Sequence, residues 1–281
     1  MLVYYWRGIT RGILAYRASA IAFNFFLAIV PTLLFLVTLI PFITSANFQD
    51  NLFDLLDDVI PSGIFDMVED TVKEILSRPK NGMLSLTFLT ALYFSINGID
   101  AVMESFNHGY YKSKRRSWIH QKLISLFLLL TITILGLISV ALLMFGKLII
   151  NTIGHIENLQ ESFIFFFLKL IQWVITVGNI LMSVSLLYFF GQRKDKVSPR
   201  FRFFSPGAIL STTLFIIGGI LLRIYFENIT RYNILYGSFG SLIVFMVWIY
   251  YNSLIVLIGF ELNAAIRRLK LLEERKLDKK L

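Results

Sequence analysis

Six long apolar runs, joined by connections that alternate between basic and acidic, limit what this chain can fold into more than any other feature. The hydrocarbon core of a bilayer is about 30 Å thick, and a helix needs roughly 20 apolar residues to cross it. Residues 18–42, 83–103, 119–145, 163–190, 206–226 and 237–265 all meet that length. The third, fourth and sixth runs are long enough to tilt or to project beyond the bilayer. Backbone groups in lipid must bond internally, so helices are expected, and the alternating pattern of barrel strands is absent. Composition agrees: 56% of residues are hydrophobic, 16% are charged and mean hydropathy is +0.70, more apolar surface than a soluble chain of 281 residues can bury. The expected fold is all-α, a polytopic membrane protein with a bundle of six transmembrane helices and a helical extracytoplasmic loop.

The basic residues orient the bundle. Arg7, Arg11 and Arg17 stand at the first run, and Lys112, Lys114, Arg115, Arg116 and Lys122 around the second-to-third connection. Arg193, Lys194, Lys196, Arg200 and Arg202 fill the fourth-to-fifth connection, and seven more lie between Arg267 and Lys280. These groups of three, five, five and seven place 20 of the 27 Lys and Arg on one side, against five in the opposite loops. Positively charged loops stay in the cytoplasm, so both termini are expected there. The net charge of +9 is then mainly a topology signal. Nucleic-acid binding would want one basic surface with interleaved aromatics, whereas these residues are spread over four segments beside the membrane, where anionic headgroups are the natural contact.

The expected organisation is a membrane domain over 1–266, with an acidic helical loop at 43–81, and a basic cytoplasmic tail over 267–281. In the loop, Leu52, Leu55, Leu56 and Val59 form one apolar stripe, and Ile64, Val68, Val72 and Ile75 another, with Pro61 between them. Asp and Glu at helical spacing read as the solvated face of a cap rather than a metal site. The chain has no cysteine, which removes disulfides, thiol nucleophiles and Cys-based metal sites. No cleavable signal peptide is evident, so the first run is expected to remain as an anchor.

Several motifs then point to a family. The first run reads Ala18-Ser19-Ala20-Ile21-Ala22-Phe23 and then Leu27-Ala28-Ile29-Val30-Pro31. The second ends Gly98-Ile99-Asp100-Ala101-Val102-Met103-Glu104-Ser105-Phe106-Asn107. The fifth opens Ser205-Pro206-Gly207-Ala208, and the sixth runs from Tyr236-Gly237-Ser238-Phe239-Gly240 to Gly259-Phe260-Glu261-Leu262-Asn263. Over nearly the whole chain this resembles the YihY/virulence factor BrkB family of bacterial inner-membrane proteins. Phe23 and Ala28 replace the Tyr and Ser of that pattern. The resemblance implies a six-helix inner-membrane protein and no settled activity. Members have carried the label ribonuclease BN, but a metal-dependent nuclease needs ligands gathered around a hydrolytic water. Only His108, His120 and His155 exist here, with no His-x-His pattern, so no enzyme activity, metal or cofactor is expected.

Ionisable and amide side chains in the membrane are the remaining candidates for function. Arg17, Asp100, Glu104, Glu261 and Asn263 fall near the cytoplasmic ends of the first, second and sixth helices, and Asn24, Asn97 and Asn252 about two turns deeper. Matching depths suggest a cytoplasm-facing polar cavity. The alternative is packing, with Arg17 neutralised by Glu261 or Asp100. Pro31 is a candidate hinge, since it frees a backbone carbonyl in mid-helix. Lys169 reads as a snorkelling side chain, and Arg223 with Glu227 as an i, i+4 ion pair. Two functions stay open: a transport-like protein that moves a lipid or amphipathic envelope component, and a non-transporting scaffold for envelope assembly. Expected partners are membrane lipids, envelope proteins and further copies of the chain, without nucleic acid.

The topology is directly testable in a chain that lacks cysteine. Single cysteines at Asp57 and Lys194 should be labelled by an impermeant reagent from opposite sides of the membrane; labelling of both from one side contradicts the orientation.

Overall fold

The computed structural model describes residues 13–43, 81–107, 116–154, 163–192, 204–228 and 238–277. The described residues are helical apart from short turns, in six helices: α1 (Ile13–Ile43), α2 (Asn81–Asn107), α3 (Trp118–Gly154), α4 (Phe163–Gly191), α5 (Pro206–Asn228) and α6 (Ser238–Leu277). Each coincides with one apolar run of the sequence. Five are long and apolar enough to cross a bilayer. The apolar stretch of α5 is shorter, Pro206–Leu221, but the helix has 23 residues, about 35 Å at 1.5 Å per residue. The acidic loop lies outside the described residues. α6 continues to Leu277, well past residue 265 where the apolar run ends, so the start of the basic tail is helix.

The surface has the inverse pattern of a soluble bundle. Large apolar side chains stand exposed along every helix, among them Phe23, Leu89, Leu137, Trp173, Ile220 and Val247. Such a continuous apolar exterior is stable only against lipid. Polar side chains within the helices mostly turn back on their own backbone: Thr32, Thr131, Thr176 and Ser253 each donate to the carbonyl four residues earlier. That satisfies the hydroxyl without requiring water.

The chain divides into two compact units, and α2, α5 and α6 contribute to both. One comprises, of the described residues, 106–107, 116–154, 163–192, 204–214 and 258–277. Here α3 and α4 run antiparallel, tied by Asn179 Nδ2 donating to Ser139 Oγ (3.0 Å) and Gln172 Nε2 to the Leu142 carbonyl (3.3 Å). The starts of α5 and α6's motif segment meet at two glycines. A Cβ on Gly207 would collide with the carbonyl oxygen of Gly259 and the Asn263 carboxamide, and one on Gly259 with Ser211 and Tyr188. Tyr188 and Ser211 share a buried hydrogen bond of 2.7 Å at this contact. Phe260 stacks on Phe106 at 4.1 Å, and Tyr188 meets both rings edge-on. Backbones this close gain dispersion along their whole contact, the usual substitute for hydrophobic driving force inside a membrane.

The second unit comprises 13–43, 81–105, 215–228 and 238–257. Its α1 and α2 pair antiparallel through Phe25 against Gly98, Phe35 against Phe88 (5.3 Å) and Thr38 bonded to Thr87 (3.0 Å). Gly218 of α5 lies under the ring of Tyr251 of α6.

A glycine at the close contact and one in open space give a sharp test. Gly259→Ala should cost about 1–3 kcal/mol by overpacking, whereas Gly136→Ala, with open space around it, should stay within about 0.5 kcal/mol. Thermal unfolding in one detergent compares them; equal midpoints would mean that the close contact does not exist.

Candidate functional site

Six of the eight polar candidates fall in the unit that contains α1: Arg17, Asn24, Asn97, Asp100, Glu104 and Asn252. Glu261 and Asn263 belong to the other unit. On α2, Asn97, Asp100 and Glu104 follow at spacings of three and four, which places them on one stripe, and all three are half-buried. On α1, Arg17 shares the buried face with Leu14, Ala18, Ile21 and Ala28. Among the described residues, Arg17 and Glu261 are the buried charged side chains, 8% and 5% exposed.

The antiparallel register fixes which of these groups share a level. Phe25 opposite Gly98 puts Asn24 beside the turn holding Asn97 and Asp100. Carried two turns further, the same register puts Arg17 level with the turn of Glu104. Asp100, one of the two partners expected for Arg17, is then offset by about six residues, or about 9 Å along the axis. The result is a polar seam along α1 and α2, bounded at its far end by the apolar Phe35–Phe88 contact, with the Thr38–Thr87 hydrogen bond beyond it.

The amides divide by role. Asn24 Nδ2 donates to the Ala20 carbonyl and Asn252 Nδ2 to that of Trp248, both at 2.8 Å, so each folds back on its own helix. These bonds use one N–H of each carboxamide and no carbonyl lone pair. Asn263 has a structural job. Its Oδ1 accepts from Gly207 N (2.8 Å) and its Nδ2 donates to Ser205 Oγ (3.1 Å), while Ser205 Oγ accepts from Ala208 N (3.2 Å). Ser205 is thus the N-cap of α5, Pro206 is its first residue, and Asn263 satisfies a further orphan N–H. The Ser-Pro-Gly-Ala and Gly-x-Glu-Leu-Asn motifs are two halves of one helix cap.

A second cap went unread in the sequence. At the end of α4, both terminal nitrogens of Arg116 donate to the Phe190 carbonyl (3.0 Å each), and one also reaches the Gln192 carbonyl. Asn107 Nδ2 donates to the Gly191 carbonyl (3.2 Å), and Arg267 donates to Gln192 Oε1. Cations at a helix C-terminus meet the negative end of its dipole, worth about 0.3–1 kcal/mol each. Arg116 and Arg267, counted above among the basic residues expected to orient the chain, therefore also close a helix. Pro31 sits inside an unbroken α1. Lys169 is exposed, while the side chains of Arg223 and Glu227 lie outside the described set. Among the described residues no three His, Asp or Glu gather as a metal site; His108 and His155 lie outside them.

Charge exchange tests the register. Arg17→Glu and Glu104→Arg should each destabilise, and the double exchange should recover about 0.5–3 kcal/mol of the sum. Arg17→Glu with Asp100→Arg should recover less; the reverse order would move the pairing to Asp100.

Comparison with known proteins agrees with this architecture. The family described as Virulence factor BrkB matches residues 5–280. The chain is 28% identical over 258 residues to the putative ribonuclease-like protein YfkH of Bacillus subtilis, covering 92% of each chain. It is 26% identical over 274 residues to a UPF0761 membrane protein of Psychromonas ingrahamii (94% of this chain, 87% of the relative) and 24% identical to one of Tolumonas auensis (94% and 84%). No solved structure matches. With the family match running from residue 5 to 280, the protein belongs to the Virulence factor BrkB family, and its relatives include membrane proteins.

Proposed function

We propose that this protein is transport-like and non-enzymatic, moving a lipid or other amphipathic envelope component across a bacterial inner membrane, with both termini in the cytoplasm. The observation that carries the reading is the α1–α2 seam: a buried Arg17 beside a half-buried stripe of Asn97, Asp100 and Glu104, ending against an apolar contact. Ionisable side chains inside a membrane are costly, about 2.5–3.5 kcal/mol each on insertion scales at mid-helix and less near the interface. A helix pair that keeps one buried cation and two carboxylates at the same end supports a path for a polar headgroup, the apolar remainder of the substrate lying in the lipid. Asn24, on the same seam, offers a carbonyl acceptor toward such a group, and Asn252 of α6 is a further candidate on the same unit.

A second reading is favoured by the amides themselves. Asn263 spends its carboxamide on the α5 cap, and Asn24 and Asn252 bond their own helices. If every polar group serves packing in this way, the protein is a scaffold for envelope assembly.

One experiment separates the two. In reconstituted vesicles, Asn24→Leu, Asn97→Leu and Asn252→Leu should each slow the movement of a fluorescent phospholipid about two- to tenfold, the loss of about one hydrogen bond of 0.5–1.5 kcal/mol in the transition state. Each variant should keep the native helical signal. Unchanged movement in all three, or none in the native protein, would leave the scaffold.

A further inference from the structure

We propose that the α3–α4 contact binds an uncharged, hydroxyl-bearing ligand of the sugar or glycerol class along a row of neutral oxygen acceptors on α4. This goes beyond the transport reading: it concerns other helices, and it stands whether or not the α1–α2 seam conducts.

Gln172, Thr176, Asn179 and Ser183 follow at spacings of four, three and four, so they share one stripe of α4. All four are half-buried, whereas Trp173, Val174 and Ile175, between the first two, are exposed. The stripe extends about 16 Å inside the apolar span Lys169–Gly191. Its donors are largely spent. Thr176 Oγ1 donates to the Gln172 main-chain carbonyl (2.9 Å) and Ser183 Oγ to that of Asn179 (2.8 Å). Gln172 Nε2 and Asn179 Nδ2 reach across to α3, at the Leu142 carbonyl and Ser139 Oγ, and Ser139 Oγ itself donates to the Leu135 carbonyl (3.0 Å). The acceptors remain. The hydroxyls keep lone pairs, and neither Gln172 Oε1 nor Asn179 Oδ1 meets a donor among the described residues. Neither oxygen is sealed inside the protein.

An amide oxygen left open within an apolar span needs a donor from outside the protein. Room for one flanks the Asn179–Ser139 bond. A Cβ on Gly178, next to Asn179, or on Gly136, one turn before Ser139, would meet nothing within 4 Å. Charge then defines the class of ligand. Neither α3 nor α4 contains Asp or Glu, so a cation would find no carboxylate on these helices to offset its desolvation. An anion would face a row of acceptors. An uncharged molecule with several hydroxyl groups satisfies the row without either cost.

Trp173 stands beside Gln172, 59% exposed, and the full chain with Trp173 as its single tryptophan (W6F, W118F, W248F) provides the probe. In phosphatidylcholine vesicles, a brominated glucosyl diacylglycerol should quench Trp173 about two- to tenfold more effectively than brominated phosphatidylcholine at the same bromine content. That is the preference expected from one hydrogen bond gained, since the choline headgroup has no donor. Asn179→Leu should bring the preference toward one. Thr176→Val with Ser183→Ala, which spares both ties from α4 to α3, should reduce it at an unchanged helical signal; a purely structural role for the row predicts no change there. Equal quenching by the two lipids, with a shift of Trp173 emission on adding methyl glucoside, assigns the row to a free hydroxylated solute instead of a lipid-borne one. Equal quenching with no response to methyl glucoside overturns the proposal, and so does a preference that survives the Thr176 and Ser183 exchange undiminished.

Discussion

Everything in this fold rests on the requirement that a backbone in lipid find its hydrogen-bond partners within the protein. Helix interiors meet it automatically; helix ends do not. The start of α5 and the end of α4 are where the chain solves the problem with side chains. Ser205 and Asn263 take N–H groups at one, and Arg116 and Asn107 take carbonyls at the other. Because Asn263 lies on α6, three residues after Phe260, capping α5 also sets the depth at which α6 packs. Gly207 and Gly259 then allow the close approach that the cap demands, and Tyr188 locks it through Ser211.

This division of labour separates two kinds of polar residue that look alike in sequence. Asn263 and Arg116 are polar groups at helix termini with named backbone partners, and their removal leaves orphaned groups in a dry place, costing about 1–3 kcal/mol each. Arg17, Asn97, Asp100 and Glu104 instead gather toward one end of the α1–α2 pair, three of them on one stripe of α2. That clustering, rather than polarity alone, directs the functional reading to the α1–α2 seam.

The helices were legible because an apolar run of 20 or more residues has few alternatives. The family motifs were legible too, but their meaning was not. The Ser205-Pro206 pair is an N-cap signature that sequence reasoning can recognise, yet it was read only as a motif; that Asn263 completes the cap depends on tertiary contact between α5 and α6. Arg116 carried a topology signal strong enough to conceal its capping role. Tyr188 offered no signal at all, since one tyrosine in an apolar run is indistinguishable from core. The pairing expected for Arg17 rested on depth alone. The Phe25–Gly98 and Phe35–Phe88 contacts add the α1–α2 register, which puts Glu104 near its level. In the last helix hydropathy falls at Ala265, whereas helix propensity persists through Arg267–Leu277, so the helix outruns the apolar stretch.

A wet α1–α2 seam, unlike dry packing, lets a water-soluble reagent reach its side chains. In the cysteine-free chain, single cysteines at Asn97 and Asp100 are to be compared with ones at the buried Ala28 and Ala91, using a small water-soluble thiol reagent on reconstituted protein. A wet seam gives rapid modification at Asn97 and Asp100 and protection at Ala28 and Ala91. Protection at all four positions in folded protein would contradict it and make the seam part of the core.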